Sequence, residues 1–150
     1  MVHALLECWR ILGQEGILID LRPLHSDRAI EVLTATSHFE SGYIVDITGE
    51  ADDIACAKAI DEVTRSGHFA LQMQDTFEFA VYWDTLAGFA AYTEARGYEK
   101  RRLAPEVLER ARHYISGTID PYHIRNRYTM HLAVYRKQEP PAVNDGPHFE

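Results

Sequence analysis

The chain has 150 residues, a length that fits one domain able to bury a core without disulfides or metal. Its hydrophobic fraction of 46% and charged fraction of 25% are those of an ordinary globular protein, and its formal net charge is -8. That charge argues against nucleic acid, which needs clustered cations, and against an anionic membrane surface; no apolar run approaches the roughly 18 residues of a spanning helix.

The N-terminal stretch carries Glu7 inside an amphipathic pattern and reads as a helix over 2–12, not a signal peptide. Leu5, Cys8, Trp9 and Leu12 form its apolar stripe, and Gly13 is expected as its C-cap. Ile17–Leu21 is a nearly continuous apolar run that predicts a strand buried on both faces, ended by Pro23. Residues 28–48 read as a β-hairpin, with Ile30, Val32 and Thr34 alternating on one arm and Tyr43, Val45 and Ile47 on the other. Its turn is expected at Glu40-Ser41-Gly42. A helix is predicted over 50–66, with Asp52 and Asp53 in its first turn, an apolar stripe of Cys56, Ala59, Ile60 and Val63, and Gly67 as its stop.

Residues 69–83 alternate as a strand, with a bend or bulge expected at Asp75 and Thr76. Asp84 or Thr85 caps the next helix, which presents Leu86, Phe89, Ala90 and Thr93 and closes at Gly97. Pro105 opens a further helix with a face of Val107, Leu108, Ala111 and Ile115, stopped by Gly117. The final strand runs from Ile124 to Arg136, and the proline-bearing tail 138–150 reads as loose. The two cysteines, Cys8 and Cys56, fall on apolar helix faces and read as reduced core thiols, which makes a cytoplasmic location the expectation. Residues 1–137 are taken as one domain.

The stretch Leu5 to Arg22, a leucine-rich helix ending Arg10-Ile11-Leu12, a turn Gly13-Gln14-Glu15-Gly16 and the strand Ile17–Leu21, resembles the helix and fifth strand of class I S-adenosylmethionine (SAM) dependent methyltransferases. That family carries Pro-Gly-Gly in the turn, and this chain departs from it there. Under the resemblance, Thr76–Trp83 matches the sixth strand and Tyr128–Tyr135 the seventh, two strands that pair antiparallel at one edge of the sheet. The implied fold class is α/β, α+β in appearance: a truncated Rossmann-like sheet with antiparallel edge strands, a β-hairpin and packed helices.

The family's cofactor site is built by its first strands, from a glycine-rich turn and an acidic residue that holds the ribose. None of the nine glycines here forms a G-x-G-x-G or G-x-G-x-x-G pattern, so no cofactor-binding residue is carried over. The resemblance therefore implies a methyltransferase-like half-domain, with no cofactor expected for this chain alone. The alternative is a SAM-dependent methyltransferase whose N-terminal, SAM-binding half is missing here or supplied separately. In the family the fifth strand is flanked by the fourth and seventh. Without the fourth, strand 17–21 becomes an open edge. A homodimer is expected through that strand or through helix 2–12.

Asp20, Arg22 and His25 stand at and beyond the carboxyl end of the first strand, where open α/β sheets bind ligands, and read as a remnant substrate cleft or as a surface ion pair. Tyr82, Trp83 and Asp84 end the sixth-strand match and read as lining the same cleft, or as core aromatics beside a helix cap. His123, Arg125, Arg127 and His131 share a strand face. Two cations between the histidines oppose a metal, and a basic stripe meeting carboxylates such as Glu78 is expected instead. No nucleophilic arrangement is visible.

Overall fold

The computed structural model describes residues 1–95 and 101–139. It is a mixed α/β structure of four helices and six strands: α1 (Val2–Ile11), β1 (Ile17–Pro23), β2 (Arg28–Leu33), β3 (His38–Asp46), α2 (Gly49–Arg65), β4 (Phe69–Trp83), α3 (Leu86–Ala95), β5 (Arg101–Leu103), α4 (Pro105–Ser116) and β6 (His123–Lys137). The strands hydrogen-bond in the order β1-β6-β2-β3-β5, and β4 also pairs with β6. The chain divides into two compact units. One comprises Met1–Leu21, Ile54–Asp75 and Leu132–Glu150; the other comprises Arg22–Asp53 and Thr76–His131.

In the first unit, α1 and α2 cover one side of the strands. Leu5, Trp9 and Leu12 of the expected stripe, with Val2 and Leu6, pack on Val63, Phe69, Ala133 and Tyr135, joined by Leu18 and Ile60. Phe69 is essentially fully buried, a burial worth about 2–3 kcal/mol. Cys8 and Cys56 are not joined in a disulfide and are only half-buried, so the expected core placement is partial. The end of β6 clasps α1. The Trp9 indole N–H donates to the carbonyl of Gln138 at 2.8 Å, and Lys137 Nζ donates to the carbonyl of Leu12 at 2.7 Å. The same ammonium sits 4.6 Å from the centre of the Trp9 ring. Gln138 is thereby fixed, unlike the loose tail expected from position 138; residues 140–150 lie outside the described residues.

The turn from α1 into β1 differs from expectation. The helix ends on Leu12 in an extended conformation, and Gly13 does not take a positive φ. Its carbonyl instead accepts from Gly16 N–H at 2.9 Å. Gly16 is the position that requires glycine, since a Cβ there would lie 2.7 Å from Leu12 Cβ. The strand that follows is not buried on both faces. Its residues alternate, Ile17, Ile19 and Leu21 exposed and Leu18 and Asp20 half-buried, because helices cover only the Leu18 side within this unit.

In the second unit, β2 and β3 form the expected hairpin, but the turn lies elsewhere. Thr34 and Ser37 close it: Thr34 N–H donates to Ser37 O, and Thr34 Oγ1 accepts from Ser37 N–H. Glu40-Ser41-Gly42 falls inside β3, where the register shifts opposite Ile30 and Glu31 and Gly42 adopts φ 139°. The shift produces a β-bulge. It puts Ile44 in the core and leaves Tyr43 and Val45 exposed. Ile30, Val32, Ile44 and Ile124 meet Phe89 of α3 and Val107 and Ala111 of α4, with Leu108, Ile115 and Trp83 against them. Pro105 is the first helical residue of α4, as its fixed φ favours.

Gly67, at φ 77°, ends α2 as expected. β4 runs as one strand through Asp75 and Thr76. The expected stop at Gly97 lies outside the described residues. No described helix is long and apolar enough to cross a membrane.

Candidate functional site

The most distinctive polar arrangement lies in the second unit, around Glu31. Strand alternation sends Ile30 and Val32 into the core and Glu31 to the opposite side. The carboxylate is nevertheless only 1% exposed. Antiparallel pairing places Glu31 opposite Arg125 of β6 and opposite Glu40 of β3. Arg125 Nε donates to Glu31 Oε2 at 2.5 Å. Arg127 Nη2 approaches Glu31 Oε1 at 3.4 Å and His38 Nε2 approaches it at 3.6 Å, while that oxygen accepts no hydrogen bond.

The cluster continues outward. Arg127 Nη1 donates to Glu78 of β4 at 2.5 Å. His123 Nδ1 lies 3.2 Å from Asp84. Tyr43 donates its hydroxyl proton to Glu40. The hydrogen bond to Glu31 raises the Arg125 pKa above its already high ordinary value; burial opposes the rise and a hydrogen bond with Tyr82 adds to it. The Glu40 carboxylate holds the Tyr43 phenol above its usual range, because the bond is made by the protonated form.

The expected basic stripe is therefore present, and Arg127 meets the anticipated Glu78. Glu31, which organises it, was not anticipated, because an acid at an alternating strand position reads as solvent-facing. A cross-strand arginine directly opposite was the available signal. Glu31 and Glu78 are each paired with an arginine, although Glu31 Oε1 and Arg127 Nε are buried without a hydrogen bond. Among the described residues, no group of three or more His, Cys, Asp or Glu could hold a metal ion.

The cleft residues separate. Arg22 Nη1 donates to Asp53 Oδ1 at 2.6 Å, and the backbone N–H of His25 donates to Asp53 Oδ2 at 2.7 Å. Asp53, just past the first turn of α2, thus ties down the segment after β1. Asp20 belongs to the other unit. Tyr82 joins the Glu31 cluster through Arg125, whereas Asp84 is exposed and meets His123. Trp83 packs as a core aromatic against Phe89 and Tyr92, with ring centres 5.1 and 5.0 Å away. Thr85 caps α3, accepting from Gly88 N–H at 3.0 Å.

The described turns into α2, α3 and α4 are closed by their own side chains or carry a proline. A cofactor cradle needs free backbone N–H groups in a glycine turn. Between β3 and α2, Asp46 Oδ1 accepts from the N–H groups of Thr48 and Gly49, and a Cβ at Gly49 would meet that carboxylate at 2.7 Å. Between β4 and α3 the turn is Asp84-Thr85, closed by its own cap. The turn into α4 is Ala104 followed by Pro105, which has no N–H. No protein-family profile, curated protein sequence or solved structure matches the chain.

Proposed function

We propose that this chain is a methyltransferase-like half-domain that on its own neither binds SAM nor transfers a methyl group, and that it works by meeting a partner chain along β1. The reading is carried by the arrangement around β6 in the first unit. Lys137 N–H donates to Gly16 O at 2.9 Å, and the next N–H, of Gln138, donates to His68 O at 2.8 Å. Successive N–H groups point to opposite edges, so β1 and β4 flank β6. That is the order the resemblance implies for its fifth, seventh and sixth strands. The absence of a glycine cradle from the sequence, and the occupied turns, support the negative half of the reading.

A second reading, a SAM-dependent methyltransferase completed by a separate N-terminal half, is favoured by the exposed side chains of Ile17, Ile19 and Leu21. Calorimetric titration of the 150-residue chain with SAM and S-adenosylhomocysteine tests the proposal. No heat and no thermal shift is the expected result. Micromolar binding would overturn it.

A further inference from the structure

The first unit is fastened unevenly. The buried members of its core are Val63 of α2, Phe69 of β4 and Ala133 and Tyr135 of β6, and α1 supplies none of them. Helix α1 has no buried residue. Its Val2, Leu5, Leu6 and Trp9 pack on that core only partly covered, as does Leu12 just beyond it. The start of the helix is weakly held. Met1 makes no side-chain cap, and the first turn carries no acid to meet the helix dipole.

The other end is clasped. The Trp9 indole donates to the Gln138 carbonyl, and Lys137 Nζ donates to the Leu12 carbonyl while lying over the Trp9 ring. The His68 ring meets the same indole edge-on, with centres 5.0 Å apart. A cation is favoured both at a helix C-terminus and over an aromatic face. The clasp and the sheet use different groups of the same two residues. Lys137 and Gln138 give their backbone N–H groups to Gly16 and His68. Undoing the side-chain clasp therefore leaves those backbone bonds intact. The chain between α1 and β1 also permits movement. Leu12 is already extended, and Gly13 has no atom within 4 Å of where a Cβ would stand. Beyond that point the turn is tied down, by Gly16 O to Lys137 N–H and by Glu15 to Arg136.

We infer that α1 is a lid on the first unit. It swings as one body at Leu12–Gly13 when the clasp of Lys137 and Gln138 on Trp9 opens, while α2 and the strands of the unit stay folded. Opening bares the side of the Val63, Phe69, Ala133 and Tyr135 core that α1 covers. A molecule that binds this apolar surface selects the open form, and one that binds the closed form holds the lid down. The lid does not rest on the half-domain reading, since it involves neither SAM nor a partner for β1.

Amide hydrogen exchange of the full chain, read by mass spectrometry and corrected for intrinsic rates, is the test. The amides of α1 are expected to exchange at least about tenfold faster than those of 57–65 and 133–136. Lys137→Met keeps the aliphatic stem but removes the charge and the donor. It should speed exchange in α1 by roughly tenfold and leave the other two segments unchanged. Lys137→Arg restores a cation over the ring and should return α1 most of the way to the unaltered rate. Trp9→Phe, which loses the N–H to Gln138, should also speed α1 alone. Exchange of α1 in step with 57–65 and 133–136 would overturn the inference. So would equal acceleration of all three segments by Lys137→Met, or a Lys137→Arg chain no slower than Lys137→Met. If a substituted chain does not fold, the three segments of the unaltered chain decide alone. None of these readouts depends on SAM, so failure here and failure of the half-domain reading remain distinct.

Discussion

Arg125 donates its Nε proton to Glu31 at 2.5 Å across 94 residues of sequence, joining β6 to β2 at the most deeply buried acid in the described structure. Arg127 approaches the other carboxylate oxygen at 3.4 Å while also holding Glu78. Removing the shared acid leaves two guanidinium groups facing each other. Glu31→Gln should therefore destabilise the fold by about 3 kcal/mol, toward the low end for breaking a buried pair because the arginines keep some solvent. Urea unfolding would measure it. A loss below about 0.5 kcal/mol would mean that the pair is no stronger than a surface one.

Gly42 combines a positive φ of 139° with crowding: a Cβ there would lie 2.6 Å from Arg110 Nη2 and 2.9 Å from Val107 Cγ2. The arginine end can swing away, although its Nε holds Ser41 O at 2.6 Å. Val107 is in the core and cannot. Gly42→Ala should cost about 2–3 kcal/mol, by thermal or urea denaturation, with strain and overpacking both contributing. Gly13→Ala serves as the contrast: it has open space and no positive φ, and should be close to neutral.

Tyr43 should ionise above the ordinary tyrosine value of 10.0, because its bond to Glu40 belongs to the protonated phenol. The raised folded-state pKa means that the folded chain holds the proton more tightly than the unfolded one. Its contribution to stability is present below pH 10 and declines as pH rises above it. The absorbance titration of the chain minus that of Tyr43→Phe isolates this residue. In Glu40→Gln the isolated step should move back toward 10.0; an unmoved step would show that Glu40 is not the cause.

Asp53 takes two charge-assisted bonds, from Arg22 and from His25 N–H. Asp53→Asn keeps the shape but weakens both. A loss of about 1–2 kcal/mol is expected, together with faster amide exchange at His25. Unchanged exchange would mean that the segment after β1 is fixed by something else.

Helical elements were readable wherever the signal was local. Pro105 with the Val107–Leu108–Ala111–Ile115 spacing located α4, and Gly67 located the end of α2. The errors came from residues whose role depends on distant chain. Glu40-Ser41-Gly42 has turn composition, yet it forms a bulge because Thr34 and Ser37 close the hairpin earlier with their own hydroxyls. Ile17–Leu21 reads as buried on both faces because its residues are apolar, while the structure covers only the Leu18 side within the first unit. β5 spans only Arg101–Leu103, too short for periodicity to register. At the site, His123, Arg125, Arg127 and Glu78 were legible as a cross-strand stripe. Glu31 was not, since its burial is created by side chains from β6.

The core of the first unit is assembled from α1, from Ile60, Val63 and Phe69, and from Ala133 and Tyr135. Helix α1 thus waits for β6, which follows all the other described elements along the chain. Residues 2–12 have no finished surface to settle on until Lys137 and Gln138 reach the Trp9 ring and the Leu12 carbonyl. Such distant contacts slow folding and prolong the exposure of apolar side chains. This unit should therefore mature only after residue 138 has been made, and a nascent chain stalled before residue 132 should display α1 to chaperones.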